Sequence, residues 1–286
     1  MPVEPPVASP RTLAEAYDLL ADQPHRPIAG GTDLLVQITG ELGDPPERVL
    51  DIWHLDELRG IRVESNAVVL GALSTYAEMR RSPLIAEFLP VFAEAATTIG
   101  AAQIQNRGTI GGNIMNASPA GDMLPLLLAT DAQLVAGTAH GERWIPVREF
   151  WPSYRRTALE PTELLLRISV PLVDGRQLRY RKVGTRRAQA ISKVVMALAW
   201  QAAGAADDTW NNVHLALGSV AATPVRVPAT EAVLEGAAPT EAIADRAAST
   251  LASEIKPIDD VRSSADYRRA VAARVLHRLI REVGGW

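Results

Sequence analysis

The amino-acid sequence predicts an α+β fold, and three observations indicate it. Near the start, a helical pattern is followed by two short apolar stretches typical of strands. In the middle and beyond, strand-like stretches follow one another in series. The last part of the chain carries apolar residues at helical spacing. Strands and helices that are grouped in this way are typical of α+β proteins.

The first elements predict a small α/β unit. A helix is expected in "SPRTLAEAYDLLAD", with Ser9 as N-cap and Pro10 at the first helical position. Its apolar face would contain Leu13, Ala16, Leu19 and Leu20. Short strands are predicted in "RPIAGG" and in "ERVLDIW". Because strand and helix alternate here, this part is expected to form a layered α/β arrangement.

The middle of the chain predicts buried strands and two short helices. "AVVLGAL", "DAQLVAG", "RWIPVREF" and "ELLLRISVP" are typical of strands. "SPLIAEFL" and "PVFAEAATTIG" are typical of helices, with Pro83 and Pro90 in their first turns. Proline, aspartate and glycine occur together in "PLVDGRQ", residues 171–177, which predicts a boundary there.

Three strands and a long helix are predicted after this boundary. The strands are "QLRYRKVG", "ISKVVMALAWQ" and "VHLALGSV". The helix is expected in "SADYRRAVAARVLHRLIREV", with Ser263 and Asp266 forming a capping box. Its predicted apolar face contains Tyr267, Val271, Val275, Leu279 and Val283.

Composition excludes several classes of function. The chain has 286 residues, 29 basic and 33 acidic, with a net charge of -4, which disfavours a nucleic-acid partner. It contains no cysteine, so it can form no disulfide, thiolate metal site or cysteine-ligated cluster. Neither a signal peptide nor a stretch of about 18 apolar residues is visible, so we expect a cytoplasmic protein without a membrane span.

Two glycine-rich stretches are the strongest functional signal. The first glycine-rich stretch is "IAGGTDLLVQ" (28–37), and the second is "NRGTIGGNIMNASPAGDMLP" (106–125). Glycine turns let backbone N–H groups approach a ligand and can form an anion-binding concavity. Neither stretch matches G-x-G-x-x-G or a P-loop. From these residues alone, ordinary turns and a site for a phosphate-bearing ligand both remain open.

At these residues the chain resembles a known family. "AGGTDLL" and the second glycine-rich stretch are similar to the two FAD-binding loops of the molybdenum hydroxylase flavoproteins. These are the medium subunits of carbon monoxide dehydrogenases and the related FAD domains of xanthine dehydrogenases. "EPTELLLRISVP", "YRKVGTRRAQAISKV" and "SADYRRAVAARVL" also resemble that family, so the resemblance extends over most of the chain.

The resemblance implies an FAD-binding fold of the vanillyl-alcohol oxidase type. Residues 1–175 would form the FAD-binding domain, with α/β subdomains over about 1–57 and 58–175. Residues 176–286 would form a C-terminal flavoprotein domain, in which a small antiparallel sheet packs with helices.

The resemblance also implies which residues bind FAD. The pyrophosphate would lie against the backbone of Ala29, Gly30, Gly31, Thr32 and Asp33, and against that of Thr109, Ile110, Gly111, Gly112 and Asn113. Asp122 would bond toward the ribose, Leu165 would line the flavin pocket, and Lys182 would lie near the flavin ring. Alternative interpretations are a turn-forming role for Asp122, a core position for Leu165 and a solvated surface position for Lys182.

The same resemblance implies an electron-transfer subunit of a heterotrimer. Substrate would be hydroxylated at the molybdenum cofactor of a large subunit. Electrons would pass through two [2Fe-2S] clusters of a small subunit to FAD, and from FAD to NAD+, oxygen or another acceptor. No residue of this chain would act as an acid or base on the hydroxylated substrate. The alternatives are a stand-alone FAD-dependent oxidase or dehydrogenase, and a scaffold that has lost FAD.

The histidines argue for noncovalent FAD. His25, His54, His140, His214 and His277 are scattered and have no zinc-ligand spacing. "AGGTDLL" contains no histidine, and the chain has no cysteine to which FAD could be attached.

Overall fold

The computed structural model describes residues 4–40, 43–186, 189–204 and 207–286. Arg187 and Ala188, which belong to the stretch "YRKVGTRRAQAISKV", lie outside the described residues. Strands and helices are both abundant and occur in separate groups, so the predicted α+β class is confirmed. None of the helices in the described ranges has the length and apolar character that crossing a bilayer requires.

The N-terminal unit is a small parallel sheet with two helices. Its strands are β1 (Val7–Ala8), β2 (Arg26–Ile28) and β3 (Val49–Asp51), in the order β1-β3-β2. Its helices are α1 (Leu13–Asp22) and α2 (Leu34–Thr39). The predicted α/β alternation is therefore confirmed. The predicted N-cap Ser9 is wrong, because Thr12 caps α1 by accepting the N–H of Glu15.

The second sheet has five antiparallel strands. They are β4 (Ile61–Glu64), β5 (Ala67–Gly71), β6 (Gln133–Thr138), β7 (Gly141–Pro146) and β8 (Leu164–Pro171). Their order is β4-β5-β8-β6-β7, so β8 lies at the centre. Apolar side chains on both faces of β8 are buried, which is expected for a central strand covered on both sides.

Six helices connect β5 to β6. They are α3 (Tyr76–Arg81), α4 (Pro83–Phe88), α5 (Pro90–Thr97), α6 (Ala102–Arg107), α7 (Ile110–Asn116) and α8 (Leu124–Ala129). The sequence predicted only α4 and α5. All six residues of α8 are buried, and they pack between the second sheet and the C-terminal part of the chain.

The C-terminal part is an antiparallel sheet covered by helices, as predicted. Its strands are β9 (Arg176–Val183), β10 (Val194–Gly204), β11 (Asp207–Gly218) and β12 (Val225–Arg226), in the order β12-β11-β10-β9. Its helices are α9 (Pro228–Leu234), α10 (Glu241–Glu254) and α11 (Ala265–Gly284).

Strand β10 joins two hydrophobic cores. Its side chains alternate between the two faces of the sheet. Val195, Ala197 and Ala199 pack into the core that contains α8. Val194, Met196, Leu198 and Trp200 pack against α10 and α11. The C-terminal sheet is therefore buried on both faces along β10.

The buried stripe of α11 differs from the prediction. Arg268, Ala272, Leu276, Leu279 and Ile280 are the buried residues, and of the predicted face only Leu279 is fully buried. The predicted capping box is also wrong. Ser264, one residue later than predicted, caps the helix by accepting the N–H of Tyr267 at 3.2 Å.

Candidate functional site

Both glycine-rich stretches line one large cleft. Its volume is about 1270 Å³. It lies between the part of the chain that contains the first two sheets and the part that contains the C-terminal sheet. The C-terminal part contributes Lys182, residues 189–192 and Ser219 to the wall. The resemblance implied that one pyrophosphate would lie against both stretches, and the structure brings the two stretches together.

The first glycine-rich stretch offers unpaired backbone donors. Residues 29–33 connect the end of β2 to the start of α2 and line the cleft. Within the described part of the chain, the backbone N–H groups of Gly30, Gly31, Thr32 and Asp33 have no hydrogen-bond acceptor. Gly31 has a φ of 75°, which strongly favours glycine. Four consecutive unpaired donors on a cleft wall can accommodate an anionic ligand.

The two stretches contact each other directly. A Cβ atom on Gly30 would lie 1.8 Å from the carbonyl oxygen of Arg107, so only glycine allows this approach. Asn116 donates from Nδ2 to Oδ1 of Asp33 at 2.9 Å. Burial raises the pKa of Asp33, and the charge of Arg155 opposes this shift.

The Gly111–Gly112 pair of the second glycine-rich stretch lies in the first turn of helix α7 and not in a loop. Thr109 caps the helix, and its Oγ1 accepts the N–H of Gly112 at 2.9 Å. The N–H groups of Ile110 and Gly111 donate to the carbonyl oxygens of Ser74 and Ala72 at 3.0 and 2.9 Å. These backbone donors are therefore already engaged within the protein.

At Gly112 and Asn113 the second stretch offers a ligand space and one side-chain oxygen. A Cβ atom on Gly112 would meet only Oγ1 of Thr109, at 3.0 Å, so this glycine faces open room. Gly111 instead packs tightly, because its Cβ would lie 2.5 Å from the carbonyl oxygen of Ala72. Oδ1 of Asn113 is buried and has no hydrogen-bond partner among the described residues. Such an orphaned acceptor is typical of a site that a ligand donor completes.

Asp122 and Lys182 form a buried ion pair on the cleft wall. The Lys182 Nζ atom lies 2.6 Å from Oδ2 of Asp122 and also donates to the carbonyl oxygen of Thr98 at 2.9 Å. The side chain of Lys182 is only 6% exposed, so the interpretation as a solvated surface lysine is wrong. Burial raises the pKa of Asp122, while Lys182 and Ser192 lower it.

Asp122 bonds side chains of the C-terminal part of the chain. Its Oδ1 accepts a short hydrogen bond from the Ser192 hydroxyl, and its Oδ2 is bound by Lys182. Within the described ranges the Asp122 carboxylate accepts no backbone N–H, so it does not act as a turn former.

Twelve of the thirteen residues predicted to bind FAD line the cleft. They are Ala29, Gly30, Gly31, Thr32, Asp33, Thr109, Gly111, Gly112, Asn113, Asp122, Leu165 and Lys182. Ile110 is fully buried in the core and does not line the cleft. Leu165 is 5% exposed and belongs both to the cleft wall and to the core, so its two interpretations are compatible.

Several cleft residues escaped the sequence analysis. Tyr76 is buried beside the cleft, and burial raises its pKa far above the ordinary value for tyrosine. It follows Thr75 in the pattern T-x-x-E, a capping-box signal that could have located helix α3. Ser192, Ser219 and Arg268 are buried polar residues of the wall for which the sequence carries no comparable signal.

Two family models match the chain. Residues 3–173 match a family described as the FAD binding domain in molybdopterin dehydrogenase. Residues 179–283 match the CO dehydrogenase flavoprotein C-terminal domain.

Relatives are similar over nearly their full length. The chain is 32% identical to the carbon monoxide dehydrogenase medium chain of Hydrogenophaga pseudoflava, covering 95% of this chain and 94% of the relative. It is 33% identical to the glyceraldehyde dehydrogenase medium chain of Sulfolobus acidocaldarius, covering 95% of each. A solved structure of the Hydrogenophaga carbon monoxide dehydrogenase, which lacks the Mo-pyranopterin moiety of the molybdenum cofactor, superposes with a TM-score of 0.91. That match covers 97% of this chain and 96% of the other, at 32% identity.

Proposed function

Because the chain belongs to the family of FAD-binding medium subunits of molybdenum hydroxylases, we propose that it is an electron-transfer subunit. It takes electrons from [2Fe-2S] clusters of a small partner subunit and passes them, by means of noncovalent FAD, to an external acceptor. A large partner subunit carries the molybdenum cofactor, and the three subunits form a cytoplasmic heterotrimer.

The observation that carries this proposal is the row of N–H groups at Gly30, Gly31, Thr32 and Asp33, which have no acceptor among the described residues. They lie on the wall of a cleft that also contains the open space at Gly112 and the buried oxygen of Asn113, which has no partner among the described residues. An FAD pyrophosphate is an acceptor-only anion that matches such donors. The residues of the cleft thus fit the cofactor that the family binds.

The residues of the chain then have distinct roles in binding. The first glycine-rich stretch holds the pyrophosphate through backbone donors, and Gly112 leaves room for it. Asp122 accepts a ribose hydroxyl, which its ionised form suits. Lys182 presents a buried positive charge near the flavin ring. FAD, when bound, supplies the redox chemistry, while the protein sets its position and its electrostatic surroundings.

The substrate of the complex is assigned to the large subunit in this proposal. The two relatives are named for different substrates, carbon monoxide and glyceraldehyde, although each is about one-third identical to this chain over nearly its full length. A medium subunit that serves such different substrates does not need a pocket for them. The docking surface for the partners should exceed about 1,000 Å² of total buried area if the complex is stable.

Purification of the chain alone and together with its two partner subunits tests the proposal. The chain alone should bind FAD at one molecule per chain, visible in the absorbance spectrum, and should oxidise no hydroxylase-type substrate. Activity should return when the cluster-bearing and molybdenum-bearing subunits are added. Reduction of an artificial acceptor by NADH is compatible with this, because a flavin accepts hydride directly.

Two outcomes would contradict the proposal. Steady turnover of an organic substrate by the single chain would favour a stand-alone FAD-dependent oxidase or dehydrogenase. A folded chain that does not bind FAD, but still assembles with the partners, would favour a scaffold.

A further inference from the structure

A buried ring of hydrogen bonds connects the Asp122 loop to the C-terminal sheet. The Ser192 hydroxyl donates to Oδ1 of Asp122. The Ser219 hydroxyl donates to the carbonyl oxygen of Ser192 at 2.9 Å, and the Ser219 N–H donates to the carbonyl oxygen of Pro119 at 2.7 Å. Pro119 precedes Asp122 by three residues, so the chain itself closes the ring. We call these four residues the serine ring.

Three members of the serine ring are buried, and helix α11 anchors the ring through Arg268. Ser192 is 1% exposed, Ser219 5% and Asp122 8%. Arg268 of α11 donates to the carbonyl oxygen of Ser219 at 2.7 Å and to Oδ1 of Asp260 at 2.7 Å. Since the Arg268 side chain is itself buried, helix α11 holds Ser219 firmly in place.

The two oxygens of Asp122 are held by different groups. Lys182 binds Oδ2, and its own position is fixed by the carbonyl oxygen of Thr98. Ser192 donates to Oδ1. Among the described residues, Lys182 and Ser192 are the only hydrogen-bond donors to the Asp122 carboxylate. Without the Ser192 hydroxyl, the carboxyl plane could rotate about the Cβ–Cγ bond while it keeps its bond to Lys182.

We propose that Ser192 is a positioning residue for FAD, acting only through Asp122. Its hydroxyl fixes the plane of the Asp122 carboxylate on the cleft wall and favours the ionised form that accepts a ribose hydroxyl. This inference rests on the proposed role of the cleft in binding FAD. Nothing in the role of Ser192 requires it to touch the cofactor itself.

The titratable groups that face Asp122 determine how FAD affinity should depend on pH. Lys182 on β9 is its charged neighbour, and Tyr180 on β9 and Tyr76 on α3 are its titratable neighbours. Burial raises the pKa of both tyrosines, so both stay neutral at and below neutral pH. Asp33 also lines the cleft and has a raised pKa, so the part of an acid-induced change of FAD affinity that is absent from Asp122→Asn reports protonation of Asp122.

A double-mutant cycle with Ser192→Ala and Asp122→Asn tests the proposal. FAD dissociation constants of the apo chain are measured by flavin fluorescence titration from pH 5 to 8. Ser192→Ala alone should raise the dissociation constant about tenfold at pH 7.5, as expected for loss of a hydrogen bond to a charged group. In the Asp122→Asn background the same substitution should change it less than about twofold, because the two residues act as one unit.

The pH dependence provides a second measurement. A hydrogen bond to the ionised carboxylate lowers the pKa of Asp122, so its removal raises that pKa. In Ser192→Ala, FAD affinity should therefore fall at a higher pH than in the parent as the solution is acidified. Thr130→Ala is the matched control, because Thr130 is also 1% exposed and its hydroxyl is hydrogen-bonded to the carbonyl oxygen of Leu126, but it lies outside the cleft wall. It should leave FAD affinity unchanged.

The outcomes separate this inference from the proposed function. Multiplicative losses in the double variant, or an equal loss at every pH, would show that Ser192 only supports the fold and would overturn the inference. If Ser192→Ala does not fold, Ser192→Cys keeps the volume with a weaker donor and should show a smaller shift in the same direction. A parent chain that binds no FAD would overturn the proposed function, whatever Ser192 does.

Discussion

Two adjacent glycines of helix α7 meet different surroundings, although the sequence makes them look equivalent. Gly111 lies against the backbone of Ala72, whereas Gly112 faces the cleft. A side chain added at Gly111 would therefore have a different effect from one added at Gly112. A rigid carbonyl cannot move away cheaply, but an empty cleft accepts extra atoms until a ligand needs the same room.

The first prediction compares these two positions. Gly112→Val should give a folded protein with little bound FAD, because its side chain fills the room that the cofactor needs. Gly111→Ala should lower the melting temperature, because its Cβ would lie 2.5 Å from the carbonyl oxygen of Ala72. Circular dichroism melting and flavin content per chain measure the two effects. Full flavin content in Gly112→Val would contradict the placement of FAD against α7.

The second prediction concerns Asp122. Asp122→Ala should weaken FAD binding by about 1.5–3 kcal/mol, the range for a hydrogen bond to a charged group. It should also lower the melting temperature, because it leaves Lys182 buried without its carboxylate partner. Asp131→Ala is a useful control, since Asp131 bonds Arg226 outside the cleft wall and should affect stability alone. If FAD affinity is unchanged in Asp122→Ala, Asp122 does not bind the cofactor and its role is structural.

At the scale of single elements, the cap of α11 allows a sharp comparison of neighbouring serines. Ser264 accepts the N–H of Tyr267, whereas the Ser263 hydroxyl makes no hydrogen bond to another described residue. Ser264→Ala should therefore destabilise the protein by about 1 kcal/mol, and Ser263→Ala should have little effect. Chemical denaturation measures both. The opposite order would restore the cap predicted from the sequence.

An ion pair between β7 and the residue that precedes β8 gives a prediction on pH. Arg143 on β7 binds both oxygens of Glu163, at 2.6 and 2.7 Å, just before β8 begins. These hydrogen bonds lower the pKa of Glu163. The stability they contribute is therefore present above the unfolded pKa of about 4.3, and it is lost as pH falls through the lower folded value.

Glu163→Gln tests this pair. The variant should melt at a lower temperature than the parent at pH 7, and the difference should shrink in acid, once Glu163 of the parent is protonated. Scanning calorimetry at several pH values measures the difference. A difference that does not change down to the lowest pH would exclude an ionic contribution.

The predictability of the elements follows their length and burial. Strands such as β5, β6 and β8 are largely buried apolar runs, which makes them visible in the sequence. Helices α3, α6, α7 and α8 have only six or seven residues, too few to establish a helical period. In α7 the pair Gly111–Gly112 is typical of a turn, and only the cap from Thr109 marks a helix.

A single polar residue explains the error on α11. Hydrophobic spacing alone predicted that the face of α11 containing Tyr267 would pack into the core. The face containing Arg268 was not chosen, because an arginine is rarely fully buried. Arg268 is nevertheless buried, and it forms hydrogen bonds to the carbonyl oxygen of Ser219 and to the carboxylate of Asp260. Such a partnership between distant residues is not visible in a local pattern.

At the scale of the whole molecule, strand β10 makes the two parts of the chain depend on each other. One set of its side chains belongs to the core with α8, and the other set belongs to the core with α10 and α11. We therefore predict one cooperative thermal transition for the entire chain. Calorimetry should give equal calorimetric and van't Hoff enthalpies. Two separated transitions would show that the parts unfold independently.

The site was predictable only where local sequence carries it. The two glycine-rich stretches are distinctive, and their resemblance to a known family pointed to the cleft before the fold was known. Ser192 and Ser219 follow Asp122 by 70 residues or more, and they reach it only because the C-terminal sheet packs on the Asp122 loop. Site residues that are brought together in this way can be identified only from the tertiary structure.

The unpaired donors of residues 30–33 have a consequence for the living cell. Without FAD, these groups have no acceptor among the described residues and can be satisfied only by water. A cofactor that binds only the folded chain adds about 2.7 kcal/mol of stability at a free concentration one hundred times its dissociation constant. Newly made chains should therefore resist proteolysis better when free FAD is abundant, so that more copies persist for assembly.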